Sequence, residues 1–541
     1  LLQERYSPSN AFLTFLSHVF RGQIRLDPLV DTNQGLIRGL SASDGDYAMF
    51  LGIPYAQVDA DNPFGAAVPH PEFEGVFSAD DESAICPQIE DLNIIGRLDC
   101  LHLNVYVPNQ ASSNNRLPVL VWIYGGGFAS GYSNRYFFGP KFLVRHGVIL
   151  VTLNYRLGPY GFMCLNTPEV PGNQGLKDQL LALRWIKENI AAFGGDTDKI
   201  TIMGQSAGAA SVEYQVYFGE PHLYNQVILQ SGSVLGSLGM TGSDETALLQ
   251  IAHHLGFQTD DLTEALNFLK DVDTSLVIAA VSVLGLRFGP CVEQNFEGVE
   301  AFVTDHPLNI NVSNINNVPV LAGFNSQEYI FIYGNAPASF YNTWNGFNTS
   351  LNEAFDYDEE FKEMEDIVRH FYIGDEEISE KVKWEIIDFS SDFNFNYPAE
   401  KSMKKFIEQG AEAVYRYLFS YSGGRNHMKN ELNVTSDGAS HGDELGYLFD
   451  YYEKGTPSED DQRIIDQMTT LWTNFVKYGD PTPEVTELLP VKWDPMTLDT
   501  YNYLDIDREL ALKKRPLHAR LAFWDLFYKA NEDKVKIFGG N

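Results

Sequence analysis

The stretch that decides the fold is Ile200-Thr201-Ile202-Met203-Gly204-Gln205-Ser206-Ala207-Gly208-Ala209-Ala210. A short apolar run enters it, small residues leave it, and G-x-S-x-G stands between them. That spacing predicts a strand that turns abruptly into a helix and lifts the Ser206 hydroxyl above the edge of a sheet. The turn leaves no room for a side chain at either flank, hence glycine at 204 and 208. Ser206 then lies at a helix N-terminus, where unpaired N–H groups and the helix dipole favour negative charge. Five residues recur by chance, so the surrounding chain has to supply the rest.

On either side the chain alternates strand and helix signals. Val119-Leu-Val-Trp-Ile123 and Val148-Ile-Leu-Val-Thr-Leu153 are continuous apolar runs, as in strands of a parallel sheet covered on both faces. Between Asp178 and Phe193, apolar residues at 180, 183, 186, 190 and 193 recur at helical spacing, and Gly194-Gly195 stops the helix. Val227-Ile-Leu229, Val318-Pro-Val-Leu321 and Val414-Tyr-Arg-Tyr-Leu-Phe419 add strands. Residues from about 240 to 410 read as helical and aromatic-rich, with a cap at Ser243. This predicts an α/β fold with a large, mostly parallel central sheet flanked by helices and a helical insertion over one end. Ligands of such sheets collect at the carboxyl ends of the strands, where Ser206 falls.

Composition narrows the class. The chain has 541 residues, of which 44% are hydrophobic, and no Gly-, Ser- or Pro-rich linker divides it. One large domain, 27–541, is expected after an N-terminal segment, 1–26. That segment holds a short amphipathic helix with Phe12, Phe15, Leu16, Val19 and Phe20 on one face, too short to span a bilayer. The net charge of −35 argues against nucleic acid or an anionic membrane as partner. No membrane anchor, metal or cofactor is expected.

Of the four cysteines, only Cys86 and Cys100 lie close in sequence, and a disulfide closing that loop would stabilise by about 3 kcal/mol. Cys164 and Cys291 lie in apolar surroundings and read as small core residues. Asn311, Asn348 and Asn433 head sequons that suit a secreted glycoprotein. The chain opens without Met or a basic leader, so a signal peptide is expected to have been removed and the protein to be secreted.

A serine hydroxyl needs a base, and the base an orienting acid. On this kind of sheet the chain order is serine, acid, histidine. Glu328 follows the strand at 318–321, and His441 lies in Gly438-Ala-Ser-His441-Gly. Asp443 and Glu444 are rival acids, but their short separation from His441 favours capping. Tyr124-Gly125-Gly126-Gly127-Phe128 directly follows the strand ending at Ile123, so backbone can approach a developing oxyanion there. Gly126, Gly127 and Ala207 are its candidate N–H donors, each worth about 3 kcal/mol of barrier.

With these residues in order, the chain resembles the type-B carboxylesterases, the α/β-hydrolase branch that includes cholinesterases, and most of all the insect carboxylesterases. The matching stretches are Asp99-Cys100-Leu-His-Leu-Asn-Val-Tyr-Val-Pro108, residues 124–131, Asn154-Tyr-Arg-Leu-Gly158, Pro171-Gly-Asn-Gln-Gly175 with Asp178-Gln179, Phe193-Gly-Gly-Asp196, residues 205–208 and Gln230-Ser-Gly232. The resemblance implies Ser206, Glu328 and His441 as triad and Gly126, Gly127 and Ala207 as oxyanion hole. It further implies Ser231 as a hydroxyl steadying the acid, and Cys86–Cys100 as the family's first disulfide. The expected function is hydrolysis of small-molecule esters through an acyl-enzyme. The alternative is a catalytically silent esterase-like protein used for binding, storage or adhesion.

Departures from the family narrow the substrate. The loop at 87–99 carries no tryptophan for a cation, and Gln205 replaces the glutamate that cholinesterases place before the nucleophile. A cholinesterase is thereby rejected, and uncharged, largely apolar esters are expected, with juvenile hormone, odorant or pheromone, and xenobiotic esters as candidates. A lipase acting on aggregated lipid is disfavoured, because no apolar lid is evident. Tyr124 stands where many carboxylesterases have histidine, and Tyr329 where glycine commonly follows the acid.

Overall fold

The computed structural model describes residues 27–236, 239–242, 244–451 and 455–536. The predicted N-terminal helix within 1–26 and the predicted cap at Ser243 lie outside the described residues. Asp244 caps helix Glu245–His254, accepting from the N–H groups of Thr246 and Ala247.

An eleven-stranded sheet dominates. In chain order its strands are β1 (Leu40–Ser41), β2 (Tyr47–Pro54), β3 (His102–Pro108), β4 (Leu117–Ile123), β5 (Ile149–Leu153), β6 (Gly195–Gln205), β7 (Gln226–Gln230), β8 (Pro319–Asn325), β9 (Ala413–Phe419), β10 (Asn502–Ile506) and β11 (Leu510–Lys514). Their spatial order is 1-2-3-5-4-6-7-8-9-10-11. From β5 to β10 every neighbouring pair is parallel, and the antiparallel pairs lie at the two edges. The continuous apolar runs are the central strands, because helices cover both faces there: Val119, Leu120, Val121, Trp122 and Ile123 are all fully buried. This is the α/β-hydrolase architecture.

The helical region between 240 and 410 is two insertions rather than one, because strand β8 runs through it. The first holds helices Glu245–His254, Leu262–Lys270 and Thr274–Leu284. The second runs from Ile330–Tyr333 to a long helix from Lys383 to Glu408. A π-helical turn, Asp392–Asn396, interrupts that helix, a feature often found beside functional sites.

Two disulfides are present, Cys86–Cys100 and Cys164–Cys291. The second corrects the reading of Cys164 and Cys291 as core residues. Both are buried, as their surroundings implied, but 127 residues separate them, so local sequence gives no sign of the pairing. The bond ties the first helical insertion to the body of the sheet, and closing so long a loop contributes about 4–5 kcal/mol on the loop-entropy account.

Two family stretches meet in a buried ion pair. Arg156 donates from Nη2 and Nε to the two carboxylate oxygens of Asp178 at 2.7 and 2.8 Å. Its backbone N–H also reaches Asp178, and Nη1 reaches the carbonyls of Pro63 and Gly65. Both side chains are fully buried.

Candidate active site

Strand β6 runs straight into helix Ala207–Phe218, and Ser206 sits between them with φ 58° and ψ −128°. No ordinary strand or helix residue adopts that pair of angles, and such strain is what turns a side chain out of a sheet. A Cβ at Gly204 would strike the Gly208 carbonyl, and one at Gly208 the carbonyl of Ile123. Ser206 is 9% exposed. It opens on a cavity of about 20 Å³ with Ala207, Ala210, Gly232, Ser233, Gly236, Asn394 and Phe395.

Glu328 and His441, 113 residues apart, are in contact: His441 Nδ1 lies 2.6 Å from Glu328 Oε2. The two are locked twice more, since the His441 N–H donates to the Glu328 carbonyl and Glu328 Oε1 accepts from the Asn325 N–H at 2.6 Å. Glu328 is fully buried. The imidazole packs between the rings of Phe331 and Phe395, with centroids 5.1 and 4.4 Å away. Its Nε2 faces the Gln205 side chain, with Gln205 Nε2 at 3.1 Å. Gln205 precedes Ser206, and Phe395 lines the Ser206 cavity, so two neighbours are shared between serine and histidine. No hydrogen bond joins Ser206 Oγ to His441 among the described residues. Such contacts are often long before substrate binds.

The rival acids serve other groups. Asp443 accepts from the backbone N–H groups of Ser440 and Lys429. Glu444 accepts from Gln230 Nε2 at 3.0 Å and Asn325 Nδ2 at 2.5 Å. Burial, and then the charge of Glu328, push the Glu444 carboxyl up to about 7. Ser231 is fully buried, but its hydroxyl has no hydrogen-bond partner among the described residues, and its backbone N–H donates to the Gly323 carbonyl. No hydrogen bond links Ser231 to Glu328 among the described residues.

The glycine turn lies against Ser206: a Cβ at Gly125 would come within 2.7 Å of the Ser206 Cβ. Gly126 and Gly127 have φ of 118° and 62°, which only glycine adopts freely. Among the described residues the N–H groups of Gly126, Gly127 and Ala207 donate no hydrogen bond. Undonated N–H groups gathered beside a nucleophile suit an oxyanion.

The two unusual tyrosines fit their positions. Tyr124 is buried, stacks on Tyr155 at 4.6 Å and donates to the Tyr155 carbonyl. Tyr329 has φ −79°, so its position needs no glycine. Asn311 and Asn433 are exposed, whereas Asn348 is half-buried on helix Gly346–Ala354.

A larger cavity of about 600 Å³ adjoins the serine cavity, sharing Gly236 and Asn394 with it. Tyr329, Tyr333, Phe340, Trp344 and Phe393 give it an aromatic wall, but Arg287, Glu353, Lys401 and Lys536 also line it. The expected apolar pocket therefore carries charge, which the sequence reading missed. Another cavity, of about 1060 Å³, opens around residues 44–47 and 455–457 and shares no residue with the serine site. No three metal-ligating side chains gather in one place among the described residues.

An elbow serine, a histidine bonded to a buried glutamate and a glycine turn at the carboxyl ends of a parallel sheet are features of the α/β-hydrolase class. Residues 26–524 match the Carboxylesterase family, and the chain belongs to that family of carboxylic ester hydrolases. It is 32% identical over 507 residues to Esterase FE4 of Myzus persicae, covering 86% of each chain. It is 32% identical over 514 residues to the juvenile hormone esterase of Heliothis virescens, covering 85% of this chain and 86% of that one. To the bile salt-activated lipase of Rattus norvegicus it is 31% identical over 540 residues, covering 92% and 84%. Among solved structures, juvenile hormone esterase from Manduca sexta with OTFP covalently attached superposes with a TM-score of 0.82 at 27% identity. That match covers 93% of this chain and 100% of the other.

Proposed function

We propose that residues 27–541 form one catalytic unit, a secreted serine carboxylesterase with Ser206, Glu328 and His441 as its triad. The observation that carries the reading is the 2.6 Å contact of His441 Nδ1 with buried Glu328, with Nε2 turned toward the elbow residue Gln205. Glu328 fixes the tautomer with the proton on Nδ1, leaving Nε2 as base. As substrate enters, the Gln205 amide yields Nε2 and the Ser206 hydroxyl takes its place. Oγ attacks the ester carbonyl, His441 accepts the proton, and the oxyanion meets the N–H groups of Gly126, Gly127 and Ala207. His441 returns the proton to the leaving alcohol, and water then cleaves the acyl-enzyme by the same route.

Substrates are carboxylic esters with a largely apolar body, accommodated by the aromatic wall beside the serine. Juvenile hormone, odorant and xenobiotic esters all fit that description. Two disulfides and the sequons at Asn311, Asn348 and Asn433 support an oxidising, extracellular location.

One observation favours the alternative, a silent esterase-like binding protein: Gln205, not Ser206, holds His441 Nε2. Hydrolysis of p-nitrophenyl acetate, butyrate and a long-chain ester by wild type and Ser206→Ala separates the two. The esterase reading expects short-chain turnover that falls by about 10⁴-fold or more in the variant. No turnover by folded wild type would favour the binding protein.

A further inference from the structure

Three cavities lie in series. The serine cavity shares Gly236 and Asn394 with the 600 Å³ cavity. That one shares Leu308, Lys401, Tyr528 and Val535 with a third, of about 460 Å³. The two shared sets have no member in common. Asn394 and Lys401 belong to one continuous helix, and seven residues at 1.5 Å each separate them by about 10 Å along its axis. Lys401 thus stands two turns along that helix from Asn394, which lines the serine cavity.

Most other charges on that cavity are answered. Lys536 donates to the Asn352 carbonyl at 2.6 Å. His306 accepts from the Leu308 N–H through Nδ1, and burial lowers its basicity. Arg287 and Glu353 interact with each other electrostatically. The neighbouring lysines on the helix are matched as well: Lys404 binds both oxygens of Asp525, and Lys405 the Pro307 carbonyl. Lys401 differs. Its ammonium donates no hydrogen bond among the described residues and rests on the ring faces of Tyr528 and Tyr397, with centroids 4.5 and 5.9 Å away. Burial and the charge of Lys405 lower it to about 8, Lys404 adds to this, and the Asp525 carboxylate opposes it without a hydrogen bond to Lys401. A half-buried ammonium that makes no hydrogen bond, and whose attracting carboxylate, Asp525, is already held by Lys404, gains from a further anion.

We propose that Lys401 is the anion-binding group of the substrate cavity, and that this enzyme prefers esters whose acyl chain ends in a carboxylate remote from the scissile bond. The proposal rests on Ser206 being the nucleophile, and it refines the apolar-bodied substrate to one with a charged tip. The chain lies along the aromatic wall, with its ester at Ser206 and its far carboxylate on the Lys401 ammonium.

The test compares mono-p-nitrophenyl dodecanedioate with the analogue whose far end is a carboxamide. Wild type should favour the carboxylate by about tenfold or more in kcat/KM, the worth of a charge-assisted hydrogen bond. Lys401→Met should bring the ratio near unity, and Lys401→Arg should keep it; Lys401→Gln replaces the Met variant if that fails to fold. Equal rates in wild type, or a preference untouched in Lys401→Met, would overturn the proposal while leaving the esterase intact. Should wild type hydrolyse neither these nor p-nitrophenyl butyrate, the esterase reading falls, and calorimetry decides the anion site alone. Dodecanedioate should then bind about tenfold tighter than dodecanoate to wild type and no tighter to Lys401→Met. Equal binding to wild type would overturn the site as well.

Discussion

Arg156 is a fully buried cation and Lys401 a half-buried one, and they are treated in opposite ways. Arg156, behind the sheet's carboxyl edge, meets a two-pronged carboxylate and two carbonyls, so every face of its guanidinium is answered. Lys401, in the wall of the second helical insertion, meets two aromatic faces, feels the Asp525 carboxylate only through space, and makes no hydrogen bond among the described residues. The first arrangement belongs to architecture, because a buried charge with full partners fixes how loops dock. The second leaves binding capacity open for a ligand. Glu213 stands between them: a fully buried carboxyl answered by neutral groups, the Ser402 hydroxyl at 2.6 Å and the Val234 N–H at 2.9 Å.

The comparison breaks first at Asp178. Asp178→Asn leaves the Arg156 charge buried without its counterion, so denaturant unfolding should show a loss of about 3–5 kcal/mol. A loss under 1 kcal/mol would show that the pair is not architectural.

Glu213 sharpens the contrast through pH. Burial pushes its carboxyl up to about 7, against the opposing pull of Ser402 and Val234, whereas in an unfolded chain it titrates near 4.3. The folded state therefore holds a proton that the unfolded state lacks between about 4.3 and 7. The stability this group contributes is full below that window and is lost as pH rises through it. Glu213→Gln mimics the protonated form: its amide donates to Ser402 and its oxygen accepts from Val234. The variant should thus lose on the order of 1–3 kcal/mol less than wild type between pH 5 and 8. Parallel pH curves would count against a protonated Glu213.

The smallest effect is expected at Lys401 itself. Lys401→Met removes an ammonium without a hydrogen bond, so stability should stay within about 1 kcal/mol of wild type by the same denaturant measurement. A loss near that of Asp178→Asn would assign Lys401 to the architecture after all.

What the chain disclosed early was whatever is local. The run from Ile200 to Ala210 yields strand, elbow and helix because hydrophobic period and glycine placement act over a few residues. The apolar runs of β4 and β5 mark strands covered on both faces. Glu328 and His441 were legible because chain order and strand ends restrict where an acid and a base can stand. Contacts across long separations were hidden: Cys164 and Cys291 look like any buried small residues until the insertion folds back. The same holds for the Gln205–His441 contact, whose partners lie 236 positions apart. Lys401 reads as one of several helix lysines, and its placement on the rings of Tyr397 and Tyr528 emerges only when the helix ending at Ala530 docks against its own. The missing bond at Ser231 had no sequence signal either, since its hydroxyl is decided by side-chain rotamers.

The central claim is that Ser206 is a nucleophile activated by His441 and Glu328. Labelling with a fluorophosphonate, followed by peptide mass spectrometry, tests it without knowledge of the substrate. Wild type should take up one phosphonyl group, on the peptide carrying Ser206, and Ser206→Ala and His441→Ala should remain unlabelled. An unlabelled wild type, or an adduct on another residue, would contradict the account.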